Sequence, residues 1–432
     1  MLGLLHKPKI QTIIRFVVDF ASRNPMHGMG YLAKTNIHWC EFIYWLVIIF
    51  YMLFYSVICG LRLVQHYRSR NSAITYNVDY MQLNTLYPSV TLCPREILDV
   101  EKAKHFVRSI KNLTDNDEFE NMVEFLQKLS IVSGRRAEYF RTSYDNIQPK
   151  DYMELVFNLS HIYSVTHNDT PAVKVMTDRG ICYTFRNLLY REVNTKYWFD
   201  PHARYINHSF YKFPYTFNFS DSFPIRIKIK HNIQGPIDIF VHSPYELPTT
   251  WTRPNAIVND MGTGTKLVVG IKDIKFQENL LSETALDERR CHSMAPSNLS
   301  MFPTTYSQNL CLMECRLNFI IKKCRCIPHF YFNRNIARSA IAKISICNVT
   351  GLNCIYRFAR QIRKIYSNSK TLPSTAKCQC YPNCINQIVV TEVSSFPLNT
   401  NKFGLIVFAI DYPPLESFER SVMYSKLDYA GK

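Results

Sequence analysis

Fourteen cysteines are the residues best placed to do chemistry, and ten of them fall between Cys291 and Cys384. Their spacings include C-x3-C, C-x-C, C-x-C and C-x3-C, so the open chemistries are metal ligation and oxidation to disulfides. Zinc sites favour C-x2-C pairs with histidines at set distances, which this region lacks, and disulfides are the better reading. No G-x-S-x-G, H-E-x-x-H, P-loop or Rossmann glycine pattern occurs, and the outer cysteines, used in pairs, leave no thiol nucleophile there. No catalytic residue, cofactor or metal is expected, and the chain reads as a non-enzyme.

Ten cysteines allow on the order of 945 pairings, so counting alone selects none. Geometry narrows the choice. Tyr306 to Ile321 has no Gly or Pro and reads as a helix that puts Cys311 and Cys315 on one face, about 6 Å apart along the axis. Cys378 and Cys380, if on a strand, share a face at about 6.6 Å. An antiparallel return then pairs Cys311 with Cys380 and Cys315 with Cys378, and leaves Cys291 and Cys384 to close the outer end. Cys324 and Cys326 are too close to bond each other comfortably, so nesting pairs Cys324 with Cys354 and Cys326 with Cys347. Cys93 and Cys182 remain as a pair, and Cys40 and Cys59 read as membrane-facing thiols.

These groups need a compartment and a scaffold. Phe42 to Leu61 is an uncharged run of 20 residues bounded by Glu41 and Arg62. As a helix it spans about 30 Å, the thickness of a bilayer's hydrocarbon core. All seven N-x-Ser/Thr sequons, at Asn112, Asn158, Asn168, Asn207, Asn218, Asn298 and Asn348, follow that run, as do twelve of the fourteen cysteines. Glycosylation and disulfides both belong outside the cytoplasm, so the N-terminus reads as cytoplasmic and the bulk as extracellular. Phe403 to Ile410 is too short to cross and reads as a buried strand. The net charge of +17 is scattered among acids, which argues against nucleic-acid binding.

Six landmarks occur in a family's order around the single span. His27-Gly28 precedes it, then come PSVTLCP (Pro88 to Pro94), RGICYTF (Arg179 to Phe185), Y-S-x3-C-x3-C (Tyr306 to Cys315), C-x-C-x-P (Cys324 to Pro328) and C-x-C-x-P-x-C (Cys378 to Cys384). On these the chain resembles the degenerin/epithelial sodium channel family, in particular its arthropod pickpocket-like branch. The resemblance implies a trimeric, voltage-independent, amiloride-blocked sodium channel of the plasma membrane, built as a homo- or heterotrimer of related subunits in the lipid bilayer. It also implies an α+β fold: one N-terminal transmembrane helix and a large disulfide-rich ectodomain with a β palm, a helical finger and a helical thumb. Residues 1–41 would be the cytoplasmic N-terminus, 42–61 the first span, 62–290 palm and finger, 291–384 the stapled thumb, and 385–432 the return strand and C-terminus. Palm strands are expected in Thr85 to Cys93, Phe223 to Lys230 and Asn386 to Phe408, and finger helix in Ile97 to Ser130. His27 and Gly28 would form the gating motif.

Family members continue into a second span with a Gly-x-Ser filter. This sequence ends at YSKLDYAGK with neither, so it reads as an incomplete or alternatively spliced channel product. The alternatives are a non-conducting single-pass regulatory subunit and, further behind, a single-pass cell-surface receptor. Tyr67 and Tyr76 could couple the outer domain to the span or simply form an interfacial aromatic belt. Glu246, Glu278, Glu283, Asp287 and Glu288 are acids that could sense protons, as in some relatives, but the sequence gives them no pairing.

Overall fold

The computed structural model describes residues 15–16, 18–20, 22–23, 29–34, 38–69, 72–76, 85–110, 116–144, 146–167, 170–194, 216–217, 225–258, 261–276, 286–294, 297–338, 343–365, 378–400, 402–410 and 416–422. The chain divides into two compact units, residues 1–73 with 422–432 and residues 74–421.

The first unit is built around helix α1 (Trp39–Ser69). The helix runs past the apolar segment at both ends because no Pro interrupts it, Gly60 is tolerated inside it, and propagation is favourable once a helix is nucleated. Its Trp39–Gln65 stretch is long and apolar enough to cross a membrane, and no residue of its most apolar window is buried. Phe50, Phe54, Val57 and Leu61 all stand exposed. A helix that is apolar on every side and uncovered by protein suits a hydrocarbon solvent. Cys40 and Cys59 on this helix are free and exposed thiols.

The second unit is α+β, with two packed sheets and a cap of helices. The larger sheet runs β1 (Ser72–Tyr76), β15 (Glu416–Val422), β12 (Thr263–Phe276), β14 (Gly404–Ile410), β9 (Ile225–His231), β4 (Val165–His167) and β5 (Thr170–Pro171), with β13 (Asn386–Pro397) also paired to β12. The smaller runs β11 (Ala256–Val258), β10 (Ile237–His242), β3 (Ser89–Pro94), β7 (Gly180–Phe185) and β6 (Val173–Thr177). A two-stranded ribbon joins β2 (Thr85–Leu86) to β8 (Thr216–Phe217).

Strand parity decides what each face meets. In β10, Ile237, Ile239 and Val241 enter one apolar core with Val90, Leu92, Ile229, Val269, Ile406 and Phe408. That core lies between the sheets. Asp238, Phe240 and His242 alternate with these residues and so occupy the other face, where Phe240 joins a second core. That second core is supplied mainly by helices α2 (Val100–Ile110), α3 (Asn116–Ile131), α4 (Tyr152–Leu159), α5 (Gln308–Cys324) and α6 (Val349–Arg363). Polar groups on the same face satisfy one another: the Thr91 hydroxyl lies 2.8 Å from both His242 Nε2 and Thr184 Oγ1, and His242 Nδ1 lies 2.8 Å from Ser243 O. A carbonyl only accepts, so Nδ1 carries the proton and Nε2 accepts from Thr91. Burial drives the His242 pKa down to about 4, which keeps the ring neutral.

The expected strands divide where proline intervenes. Pro88 separates β2 from β3, which lie in different sheets. The segment expected to supply palm sheet from Asn386 to Phe408 forms two strands, the second of which coincides with the buried strand expected at Phe403 to Ile410. β13 pairs antiparallel with β12 from Asn386 to Pro397, Leu398 N donates to Gly262 O at 2.9 Å, and β14 returns parallel to β12. The finger segment is likewise two helices, α2 and α3. At Gly404, opposite His231, an added Cβ would sit 2.4 Å from the imidazole, so the ring lies on bare backbone. Burial lowers the His231 pKa to about 4, and the neutral ring packs there as an aromatic plate.

Candidate functional site

The cross-linked lobe is the part of the second unit with the most built-in constraint. α5 starts at Ser307, whose hydroxyl accepts from Leu310 N at 3.1 Å, a serine N-cap. One turn on, Cys311 and Cys315 share a face, and they are bonded to Cys380 and Cys378. Cys291–Cys384 closes the outer end, and Cys324–Cys354 and Cys326–Cys347 tie α5 to α6 and to the loop before it. Arg325 between the last two half-cystines has φ 55°, so the helix ends in a left-handed residue held on both sides by a cross-link. A side chain in that region costs roughly 1–2 kcal/mol, which the flanking bonds offset.

The return segment Cys378–Cys380 forms no strand, contrary to the sequence expectation. Side chains near the start of α5 take the place of a pairing strand: Gln308 Nε2 donates to Cys380 O at 3.1 Å and Tyr306 Oη to Tyr381 O at 2.8 Å. Cys93–Cys182 lies outside the lobe and joins β3 to β7 in the smaller sheet.

Polar contacts at several places fasten the lobe to the rest of its unit. At the centre, Arg316 of α5 donates from Nη1 to Asp178 Oδ2 at 2.5 Å, with both side chains 0% exposed. Asp178 sits in the turn between β6 and β7 and also accepts from Tyr331 Oη and, at 2.9 Å, from Thr250 N. Burial and the adjacent Asp178 charge hold the Tyr331 phenol far above its ordinary pKa, so it stays a donor. Gly134 backs onto the carboxylate so closely that an added Cβ would fall 1.7 Å from Asp178 Oδ1. At the start of α5, Asn309 Nδ2 donates to Glu246 Oε2 at 3.4 Å, and just upstream Thr304 Oγ1 donates to Glu192 Oε1 at 3.3 Å. On α6, Asn353 exchanges two hydrogen bonds of 2.8 Å with the Phe140 backbone.

Glu192 and Glu246 are partly buried, and burial raises both pKa values to about 7 against the hydrogen bonds that would lower them. Of the acids singled out in the sequence, Glu246 therefore belongs to a built site, next to Asn309 rather than beside another acid. Glu278 and Glu283 lie outside the described residues, as do the side chains of Asp287 and Glu288 in the helix Leu286–Arg289. His27 and Gly28 also fall outside, as do Asn112, Asn168, Asn207, Asn218 and the Tyr67 side chain. Tyr76 packs on Phe418 with ring centroids 4.9 Å apart. Asn158, Asn298 and Asn348 are exposed, and Asn348 caps α6 through Oδ1, which accepts from Gly351 N at 3.0 Å. Asp178, Arg316 and Glu192 have no sequence signal beyond the turn-like Asp178-Arg179-Gly180. Among the described residues no cluster of His, Cys, Asp and Glu could hold a metal ion.

An uncovered apolar helix together with a disulfide-stapled α+β unit defines a membrane-associated protein whose lobe is locked by covalent bonds. The profile of the amiloride-sensitive sodium channel family matches residues 20–428, and the chain belongs to that family. It is similar to the sodium channel protein Nach of Drosophila melanogaster, 20% identical over 419 residues that cover 89% of this chain and 74% of that protein. The Nach protein of Drosophila ananassae is 20% identical over 425 residues, covering 91% and 75%.

Two outcomes follow from this geometry. Arg316→Met strands the Asp178 carboxylate away from water and should destabilise the fold by about 3–5 kcal/mol. Adding Asp178→Asn removes the stranded charge, so the double variant should lose less than the sum of the single losses, read from denaturant midpoints; strict additivity would show that the pair does not act as a unit. The second outcome concerns pH. Glu192 and Glu246 hold protons in the folded state up to about pH 7, whereas the unfolded chain releases them near the ordinary glutamate value of 4.5. Their contribution is full below that value and is lost as pH rises through about 7, with a slope of at most about 1.4 kcal/mol per pH unit per group. Glu192→Gln and Glu246→Gln should flatten thermal stability against pH in that window; unchanged slopes in both variants would refute the assignment.

Proposed function

We propose that this chain is a subunit of a plasma-membrane sodium channel that assembles as a homo- or heterotrimer with related subunits, conducts independently of voltage and is blocked by amiloride. The observation that carries the reading is the family match, which spans α1 and the cross-linked unit together. In this reading the N-terminal segment is cytoplasmic and holds His27 and Gly28 as gating residues. The unit after α1 is extracellular, where its disulfides persist and its exposed sequons receive glycans. Each cross-link constrains the unfolded chain by about 2–4 kcal/mol in the entropic model. The lobe then acts as a stiff lever, attached through Arg316 and Asp178, and it passes ligand or load on the ectodomain to the pore.

Orientation is tested by glycan mapping. Asn348 caps α6 through Oδ1, which leaves Nδ2 for the glycosidic bond. Thr350→Ala should therefore remove one glycan from the expressed chain while leaving the cap and the unfolding midpoint intact. Asn158→Gln and Asn298→Gln should each remove one more on enzymatic deglycosylation gels. A chain made in cells without any glycan at these three positions would reverse the orientation.

The channel assignment is tested by voltage clamp of oocytes expressing this chain with the Drosophila melanogaster relative. A sodium current linear in voltage, reduced by amiloride and altered by this chain, is the expected result. Currents identical with and without this chain, with no co-purification of the two proteins, would sink the subunit reading.

A further inference from the structure

A cavity of about 320 Å³ opens beside β3 and the end of α3, over the helix-facing side of β10. Its lining includes Arg95, Arg135, Arg136 and Arg179 but a single carboxylate, Asp238. The Arg179 and Asp238 side chains are 6% and 4% exposed, whereas those of Arg95 and Arg135 are 46% and 55% exposed, so a buried charged floor meets an accessible rim. Asp238 Oδ1 accepts from Arg95 Nε at 3.1 Å and Nη2 at 2.8 Å, and Oδ2 accepts from Arg135 Nη1 at 3.3 Å and Arg179 Nη1 at 3.2 Å. These contacts fill the roughly four acceptor positions of one carboxylate.

Within the lining, one negative charge thus faces three guanidiniums. Arg136 is matched by Glu138 at 2.9 Å, and the Glu96 carboxyl, outside the lining, lies 3.3 Å from where a Cβ on Gly235 would sit. Asp178 also attracts Arg179 but is itself neutralised by Arg316, so two positive charges are left over. Arg179 is held in place by Thr249 O at 2.9 Å, by Thr252 O and by the Phe240 ring 4.5 Å beneath it. Burial and repulsion from Arg135 lower its pKa to about 10, so it remains charged at neutral pH. Each guanidinium has about five N–H donors, and Arg95 and Arg135 give Asp238 only two and one of theirs.

We propose that this cavity binds a small dianionic oxyanion, a phosphate or a dicarboxylate, bridged by Arg95, Arg135 and Arg179. The planar guanidinium fork matches both groups bidentately, and two negative charges cancel the surplus. The volume sits at the small end of ligand pockets, about 300–1,000 Å³, which suits a compact anion. Such a ligand ties the loop after α3 to the sheet through Arg135 on one side and Arg95 and Arg179 on the other. The site is independent of the channel reading and stands or falls separately.

The test is calorimetry on the full chain in detergent micelles at low ionic strength, with inorganic phosphate, succinate and, at matched ionic strength, chloride. One phosphate or succinate should bind per chain, and Arg135→Gln or Arg95→Gln should weaken it roughly tenfold or more, while Lys402→Gln on the surface leaves it unchanged. Binding of phosphate alone or succinate alone supports the site and identifies its ligand type. In the unmodified chain the bound anion should slow hydrogen exchange across residues 131–136, a readout that needs no variant to fold. The proposal is overturned by no binding of either oxyanion at millimolar concentration, by equal binding of chloride, by indifference to both arginine substitutions, or by unchanged exchange.

Discussion

A carboxylate shut away from water is tolerable only when other groups replace its hydration, and the way Asp178 meets that demand organises the middle of this protein. Its Oδ2 takes a cation from α5 and a backbone N–H from Thr250, and its Oδ1 takes a phenol from Tyr331 while Gly134 presents bare backbone to that second oxygen. Four stretches distant in sequence must therefore arrive together before any of them is satisfied. Removing two charges from water costs several kcal/mol per ion, so the pair specifies an arrangement more than it adds stability. Its geometry fixes the rotation of α5 about its own axis, and with it the direction in which the half-cystines face.

The disulfides complement that fix. Noncovalent contacts choose the position of α5 against the sheet, and the cross-links then prevent the lobe from repacking internally. Five of the six bonds lie within residues 291–384, and the sixth bonds β3 to β7 inside the smaller sheet. No cross-link spans the lobe and the sheets, so the connection between them rests on hydrogen bonds, ion pairs and packing. That division leaves the junction adjustable while both sides stay stiff.

Much of the architecture was legible in the residues because cysteine spacing and apolar runs are local signals. The 20-residue run gave the core of α1, and the 3.6 period placed Cys311 and Cys315 on one face. Less was legible where the outcome depends on distant partners. Nothing near Arg316 marks it as fully buried, since a lone arginine in a helix ordinarily lies on the surface, and its partner is 138 residues away. Glu192 and Glu246 look like any surface acid until tertiary burial lifts their pKa values. Within Asn386 to Phe408, where palm sheet was expected, the polar run from Asn399 to Lys402 marks a break, but nothing local discloses that the chain crosses to the other side of β12. The expected strand at Cys378 failed because helix side chains took over the role of a neighbouring strand.

The length of α1 carries a consequence of its own. Its Trp39–Gln65 stretch rises about 40 Å, but Glu41 and Arg62 bound the uncharged run at 20 residues, about 30 Å, which equals the hydrocarbon slab of an ordinary bilayer. In a bilayer an upright helix would set Glu41 and Arg62 at the two edges of the slab, so a thinner layer is met by tilt and a thicker one by local thinning of the lipid. Either response stores a small elastic energy that changes with lipid composition. Membrane thickness is thereby a physical variable to which this subunit is coupled.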